Sequence, residues 1–332
     1  MATIGVVGTT GWGTTLAIIT ARNGHTVRLH ARSEEEAARL RLANENSQYL
    51  PGASFHPSMQ ITHDPTEALG GADLTILAVP SNTLRQNVKK VGEYIDNETV
   101  IVSAVKGLEI ETGSRMSEVI RQEFDGSATT PICALSGPNL AREIIRGKLS
   151  STVVASPDED AAKKAQAILN SSVFRVYTNT DIIGVELGGA LKNIIAIGAG
   201  ICDGLQMGDN VKAAFMTRGL VEIARLGVAS GARQMTMAGL AGMGDLIATC
   251  SSDLSRNHQV GILLSRDKTL TEIQSEMHNV AEGINTTAAA RAMAAELGVE
   301  MPITEATYRV LFEGMSVDRA VAELMGRAPT PE

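Results

Sequence analysis

A lysine inside a helical stretch is the first residue whose surroundings call for chemistry. In Gly188-Gly189-Ala190-Leu191-Lys192-Asn193-Ile194-Ile195-Ala196, the residues three and four places from Lys192 are Gly188, Gly189, Ile195 and Ala196, a small apolar face. Solvated lysines sit among polar neighbours. Two adjacent glycines cost about 1 kcal/mol each inside a helix, so the pair implies a close approach by another element. Either Lys192 snorkels over apolar surface with its head in water, or it is buried and its ammonium serves as a general acid or base.

Other segments carry polar groups at spacings that suit an anionic ligand. In Gly242-Met243-Gly244-Asp245-Leu246-Ile247-Ala248-Thr249-Cys250, Asp245 and Thr249 are four apart and share a face if the segment is helical. Ser255-Arg256-Asn257 reads as a helix start with Ser255 as N-cap. Unpaired N–H groups and a guanidinium there suit a phosphate, the alternative being an ordinary capped helix. Glu282, in Val280-Ala281-Glu282-Gly283, is a ligand contact or a first-turn acid. Near the start, Gly8-Thr9-Thr10-Gly11-Trp12-Gly13 joins a strand to a helix, the context in which a glycine turn holds a pyrophosphate. Gly8 and Gly13 match the first and third glycines of that fingerprint, whereas Thr10 takes the middle place. An acid ending the second strand would suit the ribose of NAD; this chain has Arg32-Ser33, which favours NADP without excluding NAD. Lys106 and Gly137 each follow an apolar run and would bring a cation and a bare backbone to the ligand edge of a sheet.

The elements that position these residues change type along the chain. Thr3–Val7, Thr26–Ala31, Leu74–Val79, Val100–Val105, Ile132–Leu135, Thr152–Ala155 and Phe174–Tyr177 are expected strands, several nearly continuous in apolar residues, as in strands covered on both faces. Helical stretches such as Thr14–Asn23 and Asp158–Asn170 alternate with them. Alternating strands and helices predict a mostly parallel, doubly wound sheet of Rossmann type. From Asp181, the N-cap of a helix to about Ala199, helical periodicity takes over, and a second helix begins at Asp209 or Asn210. The expected domains are therefore an α/β dinucleotide-binding domain, 1–180, and an all-helical substrate-binding and catalytic domain, 181–332.

With 332 residues, 44% hydrophobic and 20% charged, the chain has the composition of a two-domain globular protein. A net charge of −8 speaks against a nucleic-acid partner. No targeting segment and no apolar run of membrane-spanning length is read, so no membrane insertion is expected and the cytoplasm is the expected compartment. Cys133, Cys202 and Cys250 are scattered and odd in number, which suits buried free thiols and gives no metal site.

These blocks together are similar to a known family. The Gly8–Gly13 turn with Trp12, Val105-Lys106-Gly107-Leu108-Glu109, Ser136-Gly137-Pro138, Phe174-Arg175-Val176-Tyr177 and the segment from Gly184 to Gly198 occur in order. Thr217-Arg218-Gly219-Leu220, Ala241–Leu246, Ser255–Asn257, Val280–Gly283 and Met301-Pro302-Ile303 follow. Over nearly its full length the chain resembles the bacterial NAD(P)-dependent glycerol-3-phosphate dehydrogenases. The resemblance implies reversible hydride transfer between NAD(P)H, NADPH favoured, and dihydroxyacetone phosphate, giving sn-glycerol 3-phosphate for phospholipid synthesis. It makes Lys192 the proton donor and acceptor, with Asp245 beside it in catalysis. It places Lys106, Gly137, Asn139, Asn193, Asp245, Thr249, Ser255, Arg256 and Asn257 at the substrate. It places Gly8, Gly11, Trp12, Gly13, Arg32, Tyr49, Lys106, Ala141, Arg256, Val280 and Glu282 at the cofactor. A homodimer is compatible with it. The rival readings are a related two-domain β-hydroxyacid dehydrogenase and a non-catalytic dinucleotide sensor; a phosphate-type Ser255–Asn257 cluster speaks against the first, and Lys192 with Asp245 against the second.

Overall fold

The computed structural model describes residues 1–124, 130–277 and 281–328. It divides into two compact units, one of Met1–Lys106 with Arg115–Glu186 and one of Gly107–Ser114 with Leu187–Glu332. The division falls inside a helix, a little beyond residue 180, and the chain passes between the units at 106, 114 and 186.

The first unit is built on one eight-stranded sheet: β1 (Thr3–Val7), β2 (Thr26–His30), β3 (Met59–Thr62), β4 (Leu74–Leu77), β5 (Val100–Ser103), β6 (Ile132–Ser136), β7 (Ser150–Ala155) and β8 (Phe174–Asn179). Their order across the sheet is β3-β2-β1-β4-β5-β6-β7-β8, all pairs parallel except β6 with β7. Alternation explains the apolar runs. Leu74 and Ile76 of β4 and Val100 and Val102 of β5 pack in one core cluster, whereas Leu77 and Ile101 pack in another, so both faces of these strands are buried. Every expected strand is present, β1 with the expected bounds and the others with an end shifted: β4 stops at Leu77, β5 at Ser103, and β7 starts at Ser150. β3 is additional.

The second unit has only helical elements among its described residues. The long helix Ile182–Gly204 leads into it, with the Asp181 carboxylate accepting the Gly184 N–H at 2.9 Å. That helix is apolar enough to cross a membrane, yet 94% of the span is buried within the protein, as befits a core helix. Ile197 and Ile201 pack with Val260, Leu264, Ile273, Ile284 and Leu311. The helix Arg256–Leu264 crosses it almost backbone to backbone: a Cβ on Gly261 would lie 1.9 Å from the Ile197 carbonyl oxygen. This crossing fixes the helix that starts at Arg256 against the helix that carries Lys192.

Candidate active site

In the first unit the glycine turn lies where the strand order reverses, between β1 and β4, the usual ligand crevice of such sheets. Gly8 has φ +113°, and a Cβ on Gly13 would sit 2.1 Å from the Gly8 carbonyl oxygen, so both positions require glycine. Thr10 takes the middle place without blocking it. Its hydroxyl donates to the Ala78 carbonyl oxygen at 2.7 Å and accepts the Gly13 N–H at 3.0 Å, which caps the helix Gly11–Arg22 and turns the side chain inward. Gly11 and Trp12 are the first helical residues, whose N–H groups have no intrahelical partner. Trp12 packs edge-on against Phe174 at 6.3 Å, and its buried Nε1 has no partner. The residues therefore fit a dinucleotide: two required glycines, free N–H groups at a helix start and an orphaned donor. Tyr49 lies beside Gly11, and with Ala141 it packs on the small cluster around Ile18, Leu40 and Phe55.

Two residues that sequence reasoning missed brace this turn. Asn46, 1% exposed, donates to the Thr9 carbonyl oxygen and to the Thr14 hydroxyl, both at 2.8 Å. Glu36 accepts the Thr9 hydroxyl at 3.0 Å and the Arg32 N–H at 3.1 Å. Its signal was the Ser33-x-x-Glu36 spacing of a helix start, and Ser33 does accept the Glu36 N–H at 3.3 Å.

The parallel pair β5 and β6 ends with Lys106 and Gly137 together: the Lys106 Nζ donates to the Gly137 carbonyl oxygen at 2.9 Å. Gly137 sits close on β7, where a Cβ would come within 2.9 Å of the Thr152 backbone. Asn139 is held by the same strand. Its amide donates to the Ser150 hydroxyl and the Ser151 carbonyl oxygen, both at 3.1 Å, and its carbonyl oxygen accepts the Thr152 hydroxyl at 2.9 Å.

In the second unit Lys192 is buried, 6% exposed. Its Nζ donates to Asp245 Oδ1 at 2.9 Å and to Thr249 Oγ1 at 2.5 Å, and Thr249 Oγ1 donates to the same carboxylate oxygen at 3.2 Å. The helix Asp245–Cys250 puts both partners on one face. A wide turn precedes it, in which the Gly244 N–H reaches back five residues to the Gly239 carbonyl oxygen, a geometry frequent at functional sites. The close approach expected of the glycine pair occurs at Gly188, where a Cβ would meet the Ala241 carbonyl oxygen at 2.8 Å.

Ser255 caps the helix Arg256–Leu264 by accepting the His258 N–H at 3.2 Å, and Arg256 is exposed at its first position. The Asn257 side chain is buried and occupied. Its amide donates to Asn193 Oδ1 at 2.8 Å and its carbonyl oxygen accepts the Gly283 N–H at 2.9 Å. Any contact of Asn257 with an anion is therefore left to its backbone N–H. Glu282, half-buried, starts the helix Glu282–Leu297 beside Gly283, and Val280 lies outside the described residues.

The chain is similar to known proteins over nearly its full length. Family models described as the NAD-dependent glycerol-3-phosphate dehydrogenase N-terminus and C-terminus match residues 3–162 and 181–322. The chain is 49% identical to a glycerol-3-phosphate dehydrogenase [NAD(P)+] of Dehalococcoides mccartyi, over 100% of its own length and 93% of the relative's. It is 47% identical to that of Moorella thermoacetica, over 99% and 97%. The crystal structure of glycerol-3-phosphate dehydrogenase from Coxiella burnetii superposes with a TM-score of 0.93 at 35% identity, covering 98% of this chain and 99% of that one.

Proposed function

Because the chain belongs to the NAD-dependent glycerol-3-phosphate dehydrogenase family, we propose that it interconverts dihydroxyacetone phosphate and sn-glycerol 3-phosphate, as a cytoplasmic NAD(P)-dependent oxidoreductase. The observation that carries the chemistry is the buried Lys192 ammonium bonded to Asp245 and Thr249. When bound, NAD(P)H supplies the hydride that reaches the substrate's carbonyl carbon. As that carbon is reduced, its electron pair moves to oxygen, and Lys192 gives the growing alkoxide a proton. An ammonium has three N–H donors; Asp245 and Thr249 take two, which leaves the third for the substrate oxygen. In the reverse direction the neutral amine takes the hydroxyl proton.

The phosphate is held by Arg256 and by the first backbone N–H groups of the helix it begins, an arrangement suited to a dianion. Lys106 adds a cation at the sheet edge, beside Gly137. Gly11 and Trp12 would hold the pyrophosphate of the cofactor on the N–H groups of the helix start. Exposed Arg32, with Ser33, supports NADPH as the favoured cofactor through its 2′-phosphate.

A dihydroxyacetone phosphate reductase assay with NADPH and NADH in parallel tests the whole reading. Lys192→Ala is expected to lower kcat by about 10²–10⁴-fold, the range of a lost general acid. Near-normal turnover in that variant would remove Lys192 from the chemistry.

A further inference from the structure

An acid close after the second strand would ordinarily be taken for the ribose ligand of NAD. Glu36 is such an acid, yet the structure gives it other work. It is the third residue of the helix Glu34–Ala43 and is 7% exposed. Both carboxylate oxygens are in use. Oε1 accepts the Thr9 hydroxyl at 3.0 Å and lies 3.8 Å from Arg39 Nη2. Oε2 accepts the Arg32 backbone N–H at 3.1 Å and lies 3.3 Å from Arg32 Nε. Turning it out to a ribose would break all four contacts.

The other end of the ion pair is the reverse case. The Arg32 side chain is 78% exposed, held at Nε and at its own backbone N–H. Contact at Nε leaves the two terminal nitrogens of the guanidinium for a ligand, and these form the fork that grips a phosphate. A long side chain on an open loop loses rotamer freedom when it grips, and prior tethering lowers that loss. The same carboxylate reaches Thr9, inside the pyrophosphate turn. One buried group thus sets the spacing between the turn and the loop after β2.

We propose that Glu36 is the positioning residue behind cofactor choice: it refuses the ribose itself and presents Arg32 to the 2′-phosphate of NADP. This rests on the reading of Arg32 as the phosphate's partner. Electrostatics alone predicts the opposite sign, because removing a negative charge near a phosphate should tighten its binding. The two expectations are therefore separable.

The experiment measures Kd for NADPH and NADH by equilibrium titration of the quenching of the single tryptophan, Trp12, and KM beside it, in wild type, Arg32→Ala, Arg32→Lys, Glu36→Gln and the double variant Arg32→Ala/Glu36→Gln. Glutamine keeps the size and one acceptor oxygen but loses the ion pair. Glu36→Gln is expected to raise the NADPH to NADH ratio, in Kd and in KM alike, about fivefold, the scale of an ion pair with one end in solvent. In the Arg32→Ala background the same change should do nothing further to that ratio. Arg32→Lys keeps the charge but lacks the fork tethered at Nε, and it should raise the ratio even if Glu36→Gln folds poorly. If Arg32→Ala leaves the ratio unchanged, the underlying reading of Arg32 fails. If Arg32→Ala raises it while Glu36→Gln leaves it unchanged, lowers it or weakens both cofactors equally, the role of Glu36 is overturned.

Discussion

Lys192 has its charge balanced by one short helix, Asp245–Cys250, rather than by solvent. In the proposed reading the phosphate is bound by different groups, so the two functions should separate in kinetics. Arg256→Ala is expected to raise KM for dihydroxyacetone phosphate about 10- to 100-fold, as for a lost hydrogen bond to a charged group, and to change kcat far less. Initial rates over a range of substrate concentrations check this, and a kcat loss matching the KM rise would merge the two roles. Much at this scale was legible, because helical spacing alone brings Asp245 and Thr249 to one face and sets Lys192 on an apolar one. Contacts between distant residues were not. No spacing shows that Asn257 spends its side chain on Asn193 and Gly283. Nor does it show that the last acid of the run Glu34-Glu35-Glu36 is buried while its neighbours are exposed.

Elements deliver these residues through close backbone contacts. Gly188 lets the long helix touch the turn at Ala241, one turn before Asp245. Gly188→Ala would force the two apart, and an overpacked contact of this kind costs about 1–3 kcal/mol. The expected result is a lower Tm together with a lower kcat, and unchanged KM for NADPH, since the cofactor turn belongs to the other unit. A normal kcat at lowered Tm would show that the Lys192–Asp245 contact tolerates the shift. The sheet was readable for a physical reason: parallel strands buried on both faces must be nearly continuous in apolar residues. β3 escaped because Met59–Thr62 is four residues long, and only its last position is buried. The polar start of β7 at Ser150 escaped likewise, its side chain serving Pro138 and Asn139 rather than a core.

Across the whole molecule, an acidic protein of net charge −8 is proposed to bind two anions through a few local cations, Lys106 and Arg32 in one unit and Lys192 and Arg256 in the other. Its stability should carry the mark of another carboxyl. Burial pushes the Glu222 carboxyl up to about 7 from 4.5, against the lowering effect of the Ile303 and Thr304 N–H groups it accepts. Between those values the unfolded chain releases the proton and the folded one keeps it. Stability from this group is therefore fully present below the unfolded value and lost as pH rises through about 7. The shift corresponds to about 3 kcal/mol. Glu222→Gln should flatten the fall in Tm between about pH 5 and about pH 8 relative to wild type; an identical slope in both proteins would assign it to other groups. All three cysteines are buried, and burial holds the Cys133 and Cys250 thiols up at about 12 and raises that of Cys202. Thiolate is the species that alkylating dyes consume. The native chain is thus a silent background for thiol labelling, and a cysteine introduced at exposed Leu42 or Leu149 would take a maleimide fluorophore alone, with no need to remove any of its own.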